Sequence, residues 1–578
     1  MSAKHFTTPG TSRPHQGLEQ RAEQHAEKGA EQRAEKSSEQ RDIELGLELE
    51  QERDVEREVG KSAALMSVLV IISRITGFLR TWGQAYALGV TVTASCYTVA
   101  NNLPNQLYEL VMGGMLVTAF LPVYLSVKKR AGTKGASEYA SNLASITTLI
   151  MGVVFVLSFV FAYQVVLTQS AGATSAFDYS LATYFMRFFA IEIVLYALSS
   201  ILSGILNAER KYFWSTAAPI FNNFVCTASF FAYAFLLPTA PTTAVLVLAI
   251  GNPLGVLIQV LLQVPSLKRC GIRLRPRINW HDPALKETLS IGVPSLVVTF
   301  ASFITVSVQS SSCLQVTASG AAIAYYARLW YTLPYSVFAI PVTTAMFTEL
   351  SESYAAGNID AYKRGIISGT NRILFFLVPL AALLIAFATP LVTLLNSGSF
   401  TQEDIALTAH YLGYLALSLP FYGICTYLQK VCSSYRRMGI YAVATVIASV
   451  IQVAFCVVLT PVMGLPAVAL SSLFFFIAVD VVTFVTLRRS LGALGLTSTF
   501  ACALRSALLG VLGAAVGVGL IKLLAMLGLT ATGLTSALLV CVAAGLPSLV
   551  VAYAAAVLLH MPEGAFFTSL LSRVARKA

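Results

Sequence analysis

Charge is what this sequence has least of. Only 12% of its 578 residues are Asp, Glu, Lys or Arg, against 56% hydrophobic, and apolar runs of bilayer-spanning length recur along it, which excludes a soluble multidomain protein. Acids are scarce in the apolar part: residues 1–61 hold 10 basic and 14 acidic side chains, whereas residues 62–578 hold 29 and 14, a net +15. In a chain of membrane spans such an excess sets orientation through the loops and gives no reason to expect nucleic acid. The nine cysteines show no C-x-x-C spacing and no neighbouring His, so neither a disulfide framework nor a metal site is expected. A P-loop, a nucleotide motif and a hydrolase triad are all missing; the run Ser310-Ser311-Ser312-Cys313 has no glycine frame around a nucleophile. No catalytic residue and no cofactor are therefore expected, and the energy source is a monovalent-cation gradient or the membrane potential.

Residues 1–61 alternate Glu, Gln, Arg, Lys and Ala, with EQRAE at Glu19 and again at Glu31. They lack the apolar core of a cleavable signal and the apolar surface to pack a domain, and read as a disordered charged cytoplasmic tail. From residue 62 onward the sequence is that of an all-α polytopic membrane protein with fourteen transmembrane helices, at 62–89, 93–127, 139–168, 181–207, 214–237, 243–267, 289–313, 321–350, 365–394, 405–434, 440–462, 465–487, 501–524 and 533–560.

Loop charges support that number. Basic clusters recur at every second connection: Lys128-Lys129-Arg130, Arg210-Lys211, Lys268 to Lys286, Lys363-Arg364, Arg436-Arg437, Arg488-Arg489 and the tail Arg573, Arg576, Lys577. The connections between them carry no Lys or Arg, and Lys522, near a span end, can snorkel. The positive-inside rule then places both termini in the cytoplasm. The longest basic connection separates an amino-terminal lobe (62–267, spans one to six) from a carboxyl-terminal lobe (289–487, spans seven to twelve) through a linker at 268–288. Arg273, Arg275 and Arg277 in that linker suit anionic headgroups. Residues 488–578 hold spans thirteen and fourteen and a basic tail. Two six-helix lobes plus a helix pair is a transporter layout, because paired bundles can rock about a midplane site.

Ionisable groups inside spans are expensive and become functional candidates. Arg74 and Arg80 lie about twelve and eighteen residues into the first span with Gly77 between them, where they either line an aqueous cavity and bind a diphosphate or snorkel to opposite headgroup layers. Glu109 follows Pro104 and precedes Gly113-Gly114, and serves as substrate contact or as partner to an arginine. Arg328 opens RLWYTLPY near the start of span eight. Arg187 and Glu192 in span four are expected as a structural pair. Asp480, the one acid of the last four spans, is a candidate for proton or cation coupling or for helix packing.

SRITGFLR at Ser73, LPNQLYEL at Leu103, Gly113-Gly114, AFLPV at Ala119, GILN at Gly204, APIFNN at Ala218, PRIN at Pro276 and YYA at Tyr325 resemble, in order and spacing, the MurJ/MviN lipid II flippase family. The likeness covers the membrane region and excludes the tail. It implies the fold of the multidrug/oligosaccharidyl-lipid/polysaccharide exporter superfamily, with a cationic cavity between two lobes that passes an undecaprenyl-diphosphate-linked peptidoglycan precursor to the outer leaflet. Arg74 and Arg80 match the family's two first-helix arginines, and Arg328 falls within one position of its span-eight arginine. Tyr108, Ser95 and Thr81 stand where relatives carry a basic residue, an acid and another acid. The family's cation site on spans seven, eleven and twelve falls near Gln309 and Gln452, without a carboxylate. The expectation is thus a lipid II flippase of the bacterial plasma membrane, with the lipid-linked precursor, membrane lipids and cell-wall synthesis proteins as partners. Its rivals are an exporter of another lipid-linked oligosaccharide and a non-transporting membrane scaffold for cell-wall synthesis; a drug antiporter would want an acidic cavity.

Overall fold

The computed structural model describes residues 65–66, 68–113, 120–559 and 561. The tail expected over 1–61, Gly114 and the basic residues Arg573, Arg576 and Lys577 lie outside them. The chain divides into two compact units, residues 1–69 and 70–578. Of the first, residues 65, 66, 68 and 69 are described and helical; the second carries all the helices that follow.

Its described residues contain no strand, as expected of a bilayer-embedded backbone that must satisfy its own polar groups. In chain order the helices are α1 (70–88), α2 (Val92–Tyr108), α3 (Phe120–Val160), α4 (Ala162–Ser170), α5 (Tyr179–Ala208), α6 (Tyr212–Leu236), α7 (Pro241–Arg269), α8 (Pro283–Val316), α9 (Gly320–Pro334), α10 (Ile340–Ala355), α11 (Ile359–Ala386), α12 (Gln402–Ala416), α13 (Leu419–Ser434), α14 (Met438–Met463), α15 (Leu465–Leu491), α16 (Leu496–Met526) and α17 (Leu534–Leu558). Ten helices among the described residues are long and apolar enough to cross a membrane. The other four expected spans are helical where described but do not give one such helix among the described residues. The first two run into residues outside the described set. The eighth breaks at Pro334 into a π turn, Tyr335–Ala339, before α10, and the tenth breaks between α12 and α13, where Pro420 cannot donate to the preceding turn. The sequence boundary between spans two and three is a kink within α3 at Gly132, whose φ of 64° is open to glycine at little cost.

Aromatic side chains hold α2, α5 and α6 together: Tyr97 packs edge-on against Phe185, Phe189 and Phe230 at centroid distances of 5.6, 5.3 and 5.4 Å. The pairs α6 with α7, α11 with α16 and α14 with α15 pack along their lengths, and α8 lies against α3, α4 and α14.

The two ends of this bundle differ. At the charge-poor end, Ser399 N donates to Tyr86 O (2.9 Å) and Tyr326 Oη to Gly89 O (3.1 Å). Ala322 N donates to Ser95 Oγ (3.1 Å), and Thr174 N to Leu314 O (3.0 Å). Gly89 and Gly398 both have positive φ, 56° and 61°, and a Cβ on either would collide with the facing backbone, at Ser399 O and Tyr86 O respectively. At the basic end, the linker runs extended along α3. The N–H groups of Arg273, Arg275 and Arg277 donate to Ser137, Ser141 and Ser145 Oγ at 3.3, 3.1 and 3.0 Å. Every second linker residue meets every fourth helical one because two extended residues rise ~6.6 Å and four helical residues ~6.0 Å. The linker turns back where Asn279 N donates to Asn142 Oδ1 (2.7 Å).

Candidate functional site

Arg80 lies eight residues before the end of α1, about 12 Å from the charge-poor end at 1.5 Å per residue. Its Nη2 donates to Asn252 Oδ1 of α7 (3.1 Å). Asn252 Nδ2 in turn donates to both carboxylate oxygens of Glu192 in α5 (2.9 and 3.0 Å) and to Asn101 Oδ1 of α2. Cys226 Sγ donates to Asn252 Oδ1 as well (3.1 Å). Asn252 and Glu192 are fully buried. One amide thus stands between a guanidinium and a carboxylate and ties five helices, α1, α2, α5, α6 and α7, together at similar depth. In a low-dielectric interior such an arrangement holds only when each charge has a counter-charge and its hydrogen bonds.

Glu192 is therefore not the partner of Arg187, as the sequence suggested; Arg187 is exposed on α5. Five residues apart on a helix means ~140° around the axis, so the two side chains leave on different sides.

A second polar region lies where α2, α8, α9, α12 and α15 meet. A cavity of about 210 Å³ is lined there by Asn102, Gln309, Ser310, Tyr325, Arg328 and Ser472, among others, and Arg328 is the only charged side chain lining it among the described residues. Gln309 Nε2 donates to Ser471 Oγ (3.2 Å) and Ser472 Oγ (2.8 Å), and Gln452 Nε2 of α14 donates to Ser471 Oγ (3.3 Å). Gln309 and Gln452, expected from different spans, are so joined by one serine pair, and Arg328 of a third lines the same cavity as Gln309 and Ser472. The contacts at the charge-poor end, among them Ser95 with Ala322 and Gly89 with Tyr326, involve residues within one turn of the lining residues Thr98, Ala321 and Tyr325.

The remaining candidates stand apart. Arg74 is exposed on α1, two residues before Thr76, whose Oγ1 accepts from Asn223 Nδ2 of α6 (3.1 Å). Glu109 is exposed at the start of the π turn Glu109–Gly113 and accepts from Asn105 Nδ2 (3.2 Å). Asp480 is buried in α15 at 5% exposure, in the neighbourhood where Cys425 and Tyr441 Oη lie 3.3 Å apart, and neither carboxylate oxygen has a hydrogen-bond partner among the described residues. The positions where relatives carry charge have other uses: Tyr108 Oη donates to Ser200 Oγ (2.6 Å), Thr81 Oγ1 to Gly77 O (3.2 Å), and Ser95 accepts from Ala322.

Asn252, Asn101, Asn102 and Glu192 were the functional-region residues that sequence reasoning passed over or misassigned. The signal was present: Asn252 sits in the apolar run AIGNPLG, about eleven residues from the charge-poor end of α7, and Glu192 about thirteen from that of α5. Polar side chains at matched depth in separate spans are candidates for mutual contact.

A family profile described as "Lipid II flippase MurJ" matches residues 84–542. The chain is 25% identical over 350 residues to the probable lipid II flippase MurJ of Buchnera aphidicola, covering 60% of this chain and 68% of that protein. Its fold is similar to that of a solved lipid II flippase MurJ in an inward closed conformation, at a TM-score of 0.68 and 20% identity, covering 86% of this chain and 99% of the other. An inward-facing multidrug transporter of the MATE family in the MOP superfamily gives 0.63 and 16%, over 75% and 99%.

Proposed function

The chain belongs to the lipid II flippase MurJ family, and from that premise we propose that it carries the undecaprenyl-diphosphate-linked peptidoglycan precursor, lipid II, from the inner to the outer leaflet of the bacterial plasma membrane by alternating access. The observation that carries this reading is the cavity whose one charged lining residue among those described is Arg328, with the contacts of Gly89 and α2 to α9 beside it at the charge-poor end. A positive, water-accessible recess suits a diphosphate, since a guanidinium offers a planar fork of donors to phosphate oxygens.

In this reading the basic end is cytoplasmic, both termini included, and the described conformation receives its load from the inside. The lobes of 62–267 and 289–487 rock against each other while the polyprenyl tail stays in lipid. Arg328 engages the headgroup in the cavity, Arg80 fixes the amino-terminal wall through Asn252, and Arg74 and Glu109, which lie outside that cavity, are candidates for further contacts with the precursor. Gln309 and Gln452 form the polar seat for a coupling cation, and Asp480 is a second candidate for coupling to protons. No bond is made or broken in the cargo, so no catalytic residue is assigned. Cell-wall synthesis proteins are the expected neighbours, because the delivered precursor is their substrate.

Depleting the chain in its own bacterium and measuring which lipid-linked precursor accumulates in the inner leaflet tests the assignment. Accumulated lipid II supports it; normal lipid II turnover together with accumulation of another lipid-linked glycan overturns it.

A further inference from the structure

A second large recess lies away from the cavity, on the flank of α3. It measures about 990 Å³ and is bounded at one end by Ser145, Arg275 and Arg277 and along its length by Leu149, Val153 and Leu157. These three apolar side chains are 47%, 55% and 52% exposed within a helix whose hydropathy suits the bilayer, so lipid is what covers them. From Ser145 to Leu157 the helix rises about 18 Å, slightly more than one leaflet's half of a ~30 Å hydrocarbon core. The polar end is built rather than incidental: the serine ladder pins the linker backbone to α3, and Arg277 Nη1 is held at 2.6 Å by Glu138. Two arginines against one acid leave that mouth positive, and the guanidinium of Arg277 keeps further donors after pairing with Glu138.

We propose that this groove is a binding site for an anionic diacyl phospholipid of the leaflet on the basic side, its phosphate held by Arg275 and Arg277 and one acyl chain lying along Leu149, Val153 and Leu157. Charge complementarity at the mouth selects an anionic over a zwitterionic headgroup, and the groove's length selects a lipid over a free phosphate. Only the name of the leaflet, cytoplasmic, rests on the functional reading above. The site uses none of the residues assigned to precursor transport.

The test is lipid retention by the full chain, purified in detergent, offered phosphatidylglycerol, phosphatidylcholine or undecaprenyl diphosphate and weighed by native mass spectrometry. The unchanged protein retains phosphatidylglycerol preferentially. Arg275→Gln with Arg277→Gln lowers that retention on the order of tenfold while phosphatidylcholine retention stays as it was. Gly152→Phe is the independent variant: Gly152 lines the groove, and a Cβ there meets nothing within 4 Å, so the side chain starts into open space and its ring occupies the recess, lowering retention of both phospholipids. Equal retention of the two phospholipids, or no change in either variant, overturns the proposal. Undecaprenyl diphosphate displacing phosphatidylglycerol from the unchanged protein but not from the Gly152→Phe variant overturns it too, by making the groove a substrate site. Lipid II accumulation on depletion is a separate readout, so either reading can fail alone.

Discussion

Arg80 shows what a single side chain reveals in sequence and what it hides. An arginine within an apolar span announces itself, but its partners, Asn252 and Glu192, lie 172 and 112 residues away along the chain, and nothing local connects them. The nearer basic residue, Arg187, invited a pairing that helix geometry forbids. The network makes a quantitative expectation. Glu192→Leu leaves the guanidinium without its counter-charge and costs roughly 3–5 kcal/mol, read as a fall in the thermal midpoint of the detergent-solubilised protein. Arg80→Leu in the same background recovers most of that loss, because two apolar side chains replace a neutralised pair; a double variant no more stable than Glu192→Leu contradicts the coupling. Asp480 predicts the opposite sign. Its buried carboxylate finds no hydrogen-bond partner among the described residues, so Asp480→Asn holds or raises the midpoint, by about 1 kcal/mol or more, while growth supported by the variant falls if this group couples transport. A clear loss of stability identifies Asp480 as a packing residue instead.

Among the elements, the apolar runs were legible and their interruptions were not. Ten long helices follow from hydropathy, but the π turns at Glu109–Gly113 and Tyr335–Ala339 depend on which neighbours the freed backbone groups meet, and composition does not say. Several motifs of the family resemblance turn out to be joints between helices. Asn223 of APIFNN reaches α1, Asn279 of PRIN meets Asn142, and Tyr326 of YYA meets Gly89. The reciprocal approach of Gly89 and Gly398 is a tight joint, and both residues combine a positive φ with a facing backbone oxygen. Gly89→Val is therefore expected to prise apart the charge-poor end. A thiol reagent that crosses no membrane, applied from that side to a cysteine placed at Ala322, reacts severalfold faster in the Gly89→Val background. Unchanged reactivity means the joint is not what keeps that end shut.

The molecule as a whole was read correctly in class, and the count of fourteen crossings still rests on loop charges. What the sequence could not carry is conformation: which end is closed is a matter of a few backbone hydrogen bonds between helices far apart in the chain. If transport requires that end to open, covalently joining it stops growth. Ser95→Cys with Ala322→Cys puts one thiol on each side of the contact in which Ala322 N donates to Ser95 Oγ (3.1 Å); cells in which these thiols form a disulfide should arrest under oxidant and resume under reductant, and continued growth with a formed disulfide removes alternating access at this end. α8 adds a constraint of its own. Near its start Thr288 Oγ1 lies 2.7 Å from Tyr139 Oη of α3, and near its finish Leu314 O accepts from Thr174 N, so it is tethered to the amino-terminal helices at both extremities while its flank rests on α14. It stands like a door leaf with one edge on the hinge post: swinging the far edge free means giving up the Leu314 tether and keeping the Thr288 one.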